Sequence, residues 1–206
     1  MRPRVLIALI AAAAAGGVGI GAALALVHGR GAPPLAVAPP LHAQATWPEG
    51  VKRAPDLRLR DQSGRTMTLS SRRGRVVLLT FLDSRCRTQC PIQGRLLASV
   101  QRRLGARARA DLVVVSVDPW ADTWLTVRAF AAEARWSAGW HWLVGTPAQL
   151  RPVWAEYAVG VRRTKSDVLH TAVLFLLDRR GFERAAYSVP FSPAEIASEA
   201  RRLAAS

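Results

Sequence analysis

At 206 residues the chain has room for one domain of ordinary size and an appendage. Half of it is hydrophobic by type and 21% is charged, which excludes a disordered chain. Two cysteines are too few for a disulfide-stapled scaffold or a four-ligand zinc site. The net charge is +15, and because Lys52 and Lys165 are the only lysines, 27 of the 29 basic residues are arginines. They fall in scattered pairs such as Arg72-Arg73 and Arg162-Arg163, with no polybasic tract and no nucleic-acid motif. A solvated arginine-rich surface is expected, with no nucleic-acid partner.

The uncharged run from Val5 to Val27 is long enough to cross the apolar core of a bilayer at about 1.5 Å per residue. Arg2 and Arg4 precede it and should keep the short N-terminus in the cytoplasm. Residues 1–28 therefore read as a signal anchor. The rival is a cleaved signal peptide, with Ala23-Leu24-Ala25 and Ala43-Gln44-Ala45 as small-x-small sites. Either way the rest of the chain is expected outside the cytoplasmic membrane, on the periplasmic side of a bacterium. Residues 29–48, with Pro33-Pro34 and Pro39-Pro40, read as a semi-extended spacer. Residues 49–206 read as the folded domain.

Within that domain, Asp56–Arg60 and Arg65–Leu69 alternate around Asp61-Gln-Ser-Gly64 and predict a β-hairpin. The continuous apolar runs Arg75–Phe81, Asp111–Val117 and Thr171–Leu177 predict strands buried on both faces, with a fourth strand over Phe182–Ser188. Helices are predicted over Pro91–Leu104, Asp122–Arg135 and Thr146 to about Tyr157, and from Ser192 onward. Thr146 and Ser192 stand three residues before a Gln and a Glu, the spacing of capping boxes. A hairpin, then β-α-β-α, a short strand and helix, and a closing β-β-α is the order of a thioredoxin-like α/β fold, a central mixed sheet flanked by helices.

Cys86-Arg-Thr-Gln-Cys90-Pro91 follows a predicted strand at the mouth of a predicted helix. Cysteines at i and i+4 share one face of a helical turn, so both sulfurs can reach one ligand or each other. The helix N-terminus, with Arg85 and Arg87, should favour a Cys86 thiolate. Such a pair can bind a soft metal or exchange disulfides. As a staple it is poor, because so short a loop removes little entropy from the unfolded chain. Two sulfurs leave a soft ion under-ligated. Of the histidines, His28 and His42 fall in the anchor flank and spacer, and His141, between two tryptophans, reads as a packed residue of a short strand. His170 precedes an apolar strand whose start can lie near the helix mouth, and it is the best third donor.

The runs VVLLTFLDSRCRTQCPIQGRLL, VVVSVDPWADTWLTVRAF, WHWLVGTPAQLRPVWAEYAVGV and SDVLHTAVLFLLDRRG resemble the SCO/SenC family from about residue 50 to 200. The resemblance implies a membrane-anchored, thioredoxin-like copper protein. It implies a metallochaperone role in assembling the dinuclear copper centre of cytochrome c oxidase, with a copper-site apoprotein such as oxidase subunit II as partner. The implied copper ligands are Cys86, Cys90 and His170, taking Cu(I), with Cu(II) as an alternative. The family also admits thiol-disulfide oxidoreductase work, in which Cys86 and Cys90 are the catalytic pair. Two positions depart from the family pattern. Leu169 stands where an aspartate usually precedes the histidine, and Arg87 stands where a proline often follows the first cysteine. Together they shift weight toward thiol-disulfide exchange. A peroxidase using Cys86 is weaker, since Asp83 stands where Thr or Ser is usual. A copper sensor or buffer would share the metal site.

Overall fold

The computed structural model describes residues 43–206. The apolar run 5–27, His28 and His42 lie outside the described residues. Among the described residues no helix is long and apolar enough to cross a membrane.

A six-stranded mixed sheet organises the domain, in the order β1-β10-β9-β4-β5-β6. Its strands are β1 (Ala45–Thr46), β4 (Val76–Leu82), β5 (Ala110–Ser116), β6 (Trp140–Leu143), β9 (Val173–Leu177) and β10 (Glu183–Ser188). Strands β4, β5 and β6 run parallel, whereas β9 is antiparallel to β4 and β10 to β9. β1 pairs antiparallel with β10, Ala45 opposite Ala186. The edge strand thus takes in residues from the segment that reads as spacer.

Strand β4 shows why its sequence lacks alternation. All seven residues are buried, because both faces of the sheet are covered. Val77, Leu79 and Phe81 point into one core with Val113, Leu143, Trp154 and Phe175. Val76, Leu78 and Leu82 point into the other with Leu97, Trp142, Leu174 and Ile196. The period of two persists in the structure, with apolar residues on both sides.

Among the described residues four α-helices flank the sheet: α1 (Gln89–Leu104), α2 (Trp124–Glu133), α3 (Pro147–Glu156) and α4 (Pro193–Ala205). Thr146 and Gln149 form the expected reciprocal capping box of α3, and the Ser192 hydroxyl accepts from the Glu195 amide. A second box, Thr123 with Thr126, opens α2. Helix α1 can approach α2 closely because residue 94 is glycine. A Cβ there would meet the Phe130 ring at 2.9 Å, and the Trp136 indole N–H donates to the Gly94 carbonyl at 2.8 Å.

The expected hairpin is β2 (Arg58–Arg60) with β3 (Thr66–Thr68), Leu59 opposite Met67. The Asp61 carboxylate shapes its turn by accepting from the Ser63 and Arg65 amides. Two findings depart from expectation. A second ribbon, β7 (Val161–Arg163) with β8 (Val168–His170), precedes β9. β9 itself begins at Val173 and not at Thr171. Thr171 instead closes the ribbon's base: its amide donates to the Gly160 carbonyl and its hydroxyl accepts from the Gly160 amide.

Candidate metal centre

The site lies where the parallel strands end. In open α/β sheets the crevice beyond the carboxyl ends, where connections leave in opposite directions, is the natural place for chemistry. Here β4 has β5 on one side and β9 on the other. The loop after β4 carries Asp83 to Thr88, and α1 begins at Gln89.

Cys90 sits in the first turn of α1 and is 1% exposed; Cys86, in the loop, is half-buried, and both are free thiols. The ribbon β7–β8 brings His170 across. Its Nε2 lies 3.5 Å from the Cys90 sulfur. Its Nδ1 is 3.1 Å from the Thr171 carbonyl oxygen, an acceptor only, so Nδ1 carries the proton and donates. The Nε2 lone pair then faces the cysteines. Burial lowers the His170 pKa from its ordinary value and favours the neutral ring, the form that ligates.

Helix α1 has no side-chain hydrogen bond at its N-cap, Thr88, and no acid in its first turn. The Cys86 sulfur takes that role. Its pKa falls to about 4, first because the Cys90 thiol donates to it, then through the Thr88 hydroxyl and the Cys90 and Thr88 amides, all against the cost of burial. Cys90 moves the opposite way, above the thiol range, because it donates to Cys86 and is buried. The pair therefore holds one thiolate and one thiol. The flanking arginines, offered by the sequence as a cause, are not among the leading ones; both are exposed.

Two carboxylates that the sequence did not single out for the site hold the loop that carries Cys86. Asp122 ties the loop after β4 to β5, accepting from the Ser84 amide at 2.9 Å and the Ser116 hydroxyl at 2.6 Å. Burial raises its pKa to about 6. Asp83 accepts from the Arg85 amide at 2.6 Å and is buried; burial, then Asp122, Asp118 and Cys86, push it up to about 7. A carboxyl whose folded pKa is raised costs stability when ionised. That cost is absent below the ordinary carboxyl pKa, grows between it and about 7, and is complete above. Asp83→Asn keeps the acceptor oxygen and removes the charge. It should stabilise the reduced protein by on the order of 2 kcal/mol at pH 8 and little at pH 4, read by urea unfolding. An equal gain at both pH values would refute the buried charge.

Of the expected ligands, the structure brings Cys90 to His170 and Cys86 to Cys90. Among the described residues no three His, Cys, Asp or Glu side chains already stand as a metal-holding group. The donor chemistry still suits a soft ion: two sulfurs and a neutral imidazole. His141 is elsewhere, in β6, with Nδ1 3.8 Å from Asp61. Leu169 is 46% exposed. Asp167 makes no hydrogen bond to His170; its carboxylate accepts from the Val168 amide.

The family model described as SCO1/SenC matches residues 48–205. The chain belongs to the SCO1/SenC family. Its fold, a mixed sheet with helices on both faces, agrees with the thioredoxin-like architecture expected. Among solved structures it is similar to Bradyrhizobium japonicum ScoI with copper bound, at 28% identity over 73% of this chain and 99% of that chain, with a TM-score of 0.65. It shares its fold with apo Sco1 of Thermus thermophilus, at 24% identity over 81% and 95% of the two chains, TM-score 0.62. It shares it too with BsSco, a Sco-family cytochrome c oxidase assembly protein in which a disulfide switch was identified, at 22% identity over 78% and 98%, TM-score 0.68. No curated protein matches the chain.

Proposed function

We propose that this SCO1/SenC chain is a copper metallochaperone serving assembly of the dinuclear copper centre of cytochrome c oxidase, with Cys86, Cys90 and His170 as the ligands of its Cu(I) cargo. The observation that carries the reading is His170 Nε2 at 3.5 Å from the Cys90 sulfur, with Nδ1 occupied by the Thr171 carbonyl. The copper-bound state of the Bradyrhizobium relative supports it. Cys86 is already a thiolate, so ligation needs only the Cys90 proton to leave. Delivery would be ligand exchange with an apo-acceptor such as oxidase subunit II. The run 5–27 would anchor the domain on the periplasmic face of the cytoplasmic membrane.

The pairing of a low-pKa thiolate with a buried thiol favours a second reading, a thiol-disulfide reductase acting on the cysteines of a copper-site apoprotein. The two share a switch, because a Cys86–Cys90 disulfide leaves no thiolate for copper. Anaerobic Cu(I) titration against a chelator should show one tight equivalent for the reduced protein and its loss after oxidation. Equal binding by both forms would defeat the dithiol site. No binding by the reduced form would leave the reductase reading.

A further inference from the structure

Cys86 is flanked by cations on both sides. Arg85, Arg87 and Arg95 line a cleft of about 620 Å³ together with Cys86, against Phe130 and Ala134. Arg85 also borders a second depression, of about 200 Å³, which carries Arg163 and Lys165. None of these five cations is in an ion pair among the described residues. Arg163 lies over the Trp120 ring at 4.7 Å.

The carboxylates nearby leave the positive excess in the first cleft. Asp83, Asp118 and Asp167 all border the second depression and offset its cations, whereas the first cleft sets Arg85, Arg87 and Arg95 against Glu133 as its one acidic lining residue. The same rim exposes apolar surface: Ile92, in the first cleft, is 47% exposed and Trp120, in the second, 42%. Exposed aromatic and aliphatic side chains among arginines are the composition of a protein-binding surface.

We infer that the rim around Cys86 docks a protein segment in which a cysteine is flanked by acidic residues. Its carboxylates meet Arg85, Arg87 and Arg95 while its sulfur meets Cys86. Cys86 is the more exposed sulfur, so a partner must bring its own sulfur there, whether it takes copper or surrenders a disulfide. Cations beside that point raise the encounter rate with an acidic segment and oppose a basic one. The inference rests on Cys86 being the sulfur that meets the partner, and it does not need copper.

The test uses reduced full-length protein and short peptides with one central cysteine flanked by glutamates, glutamines or lysines, each activated as a 2-thiopyridyl disulfide. The Cys86 thiolate attacks the peptide sulfur, the peptide–pyridyl S–S bond breaks, and pyridine-2-thione leaves as the mixed disulfide forms. Its absorbance gives the rate. At low salt the glutamate peptide should react about tenfold faster than the glutamine peptide, and the lysine peptide slower. Taking ratios cancels any change in thiolate fraction. In Arg87→Ala/Arg95→Ala the ratio should drop to about twofold. In Arg103→Ala/Arg107→Ala, which removes the same charge away from the cleft, it should stay near the wild-type value. A wild-type ratio near one, or an equal drop in both variants, overturns the docking site and leaves Cys86 reactivity standing. No release from the glutamine peptide would bring down the docking site together with the role of Cys86.

Discussion

His170→Ala should weaken Cu(I) binding by at least tenfold to a hundredfold, while the rate at which the reduced protein attacks a small disulfide stays within about twofold. Loss of an outer-shell partner alone typically costs that much affinity, and here a ligand itself is removed. The substitution spares the fold, because the ribbon is held by backbone pairing of Val161 with His170 and by the Gly160–Thr171 hydrogen bonds. Anaerobic competition against a Cu(I) chelator, with the thiols counted beforehand, measures the first quantity. Unchanged affinity would mean that copper, if bound, is held by the sulfurs alone. The same variant separates the two activities, since disulfide attack needs the Cys86 thiolate and not the imidazole.

The second expected result concerns the sulfurs. Alkylation of Cys86 by iodoacetamide should proceed at a nearly constant rate between pH 6 and 8, falling only as the pH approaches about 4. An ordinary thiol, with a pKa near 8.5, would speed up by about tenfold per pH unit across most of that range. Cys90, buried and protonated, should remain unmodified over the same interval. Cys90→Ala removes the donor that contributes most to the depression, so alkylation at pH 6 should slow by about tenfold or more. Mass spectrometry of the quenched protein locates the modified residue. A rate that climbs with pH like that of a free thiol would show that Cys86 is not held as a thiolate.

Much of this arrangement can be read from the chain because it depends on local rules. The strands buried on both faces announce themselves as apolar runs, and Thr146 marks its helix through a spacing that backbone amides require. The dithiol at a helix mouth is equally local. The β7–β8 ribbon is not: Arg162, Arg163 and Leu169 are exposed, and the turn hangs on the Thr164 hydroxyl accepting from the Asp167 amide. No hydrophobic periodicity marks it. His170 can be guessed as a donor from its place before a strand, yet its orientation comes from the Thr171 carbonyl, which any residue type would supply. Leu169 in place of an aspartate therefore takes away less than the sequence suggests. Asp83 and Asp122 look like common loop residues until burial and the convergence of two loops give them unusual protonation.

The short strand β1 carries a consequence for how much of the chain the domain needs. The Gln44 amide donates to the Ala186 carbonyl and the Trp47 amide to the Arg184 carbonyl, so these few residues satisfy the outer backbone groups of β10. A polypeptide begun at residue 49 would keep every fully buried core side chain and both cysteines, losing only Ala43, Ala45 and Trp47 from the margins of the cores, yet β10 would become an open border offering its amides and carbonyls to any extended chain. Self-association through that border follows from the geometry. The last stretch of the spacer is thus the seam that keeps one copy of the domain from zipping onto another.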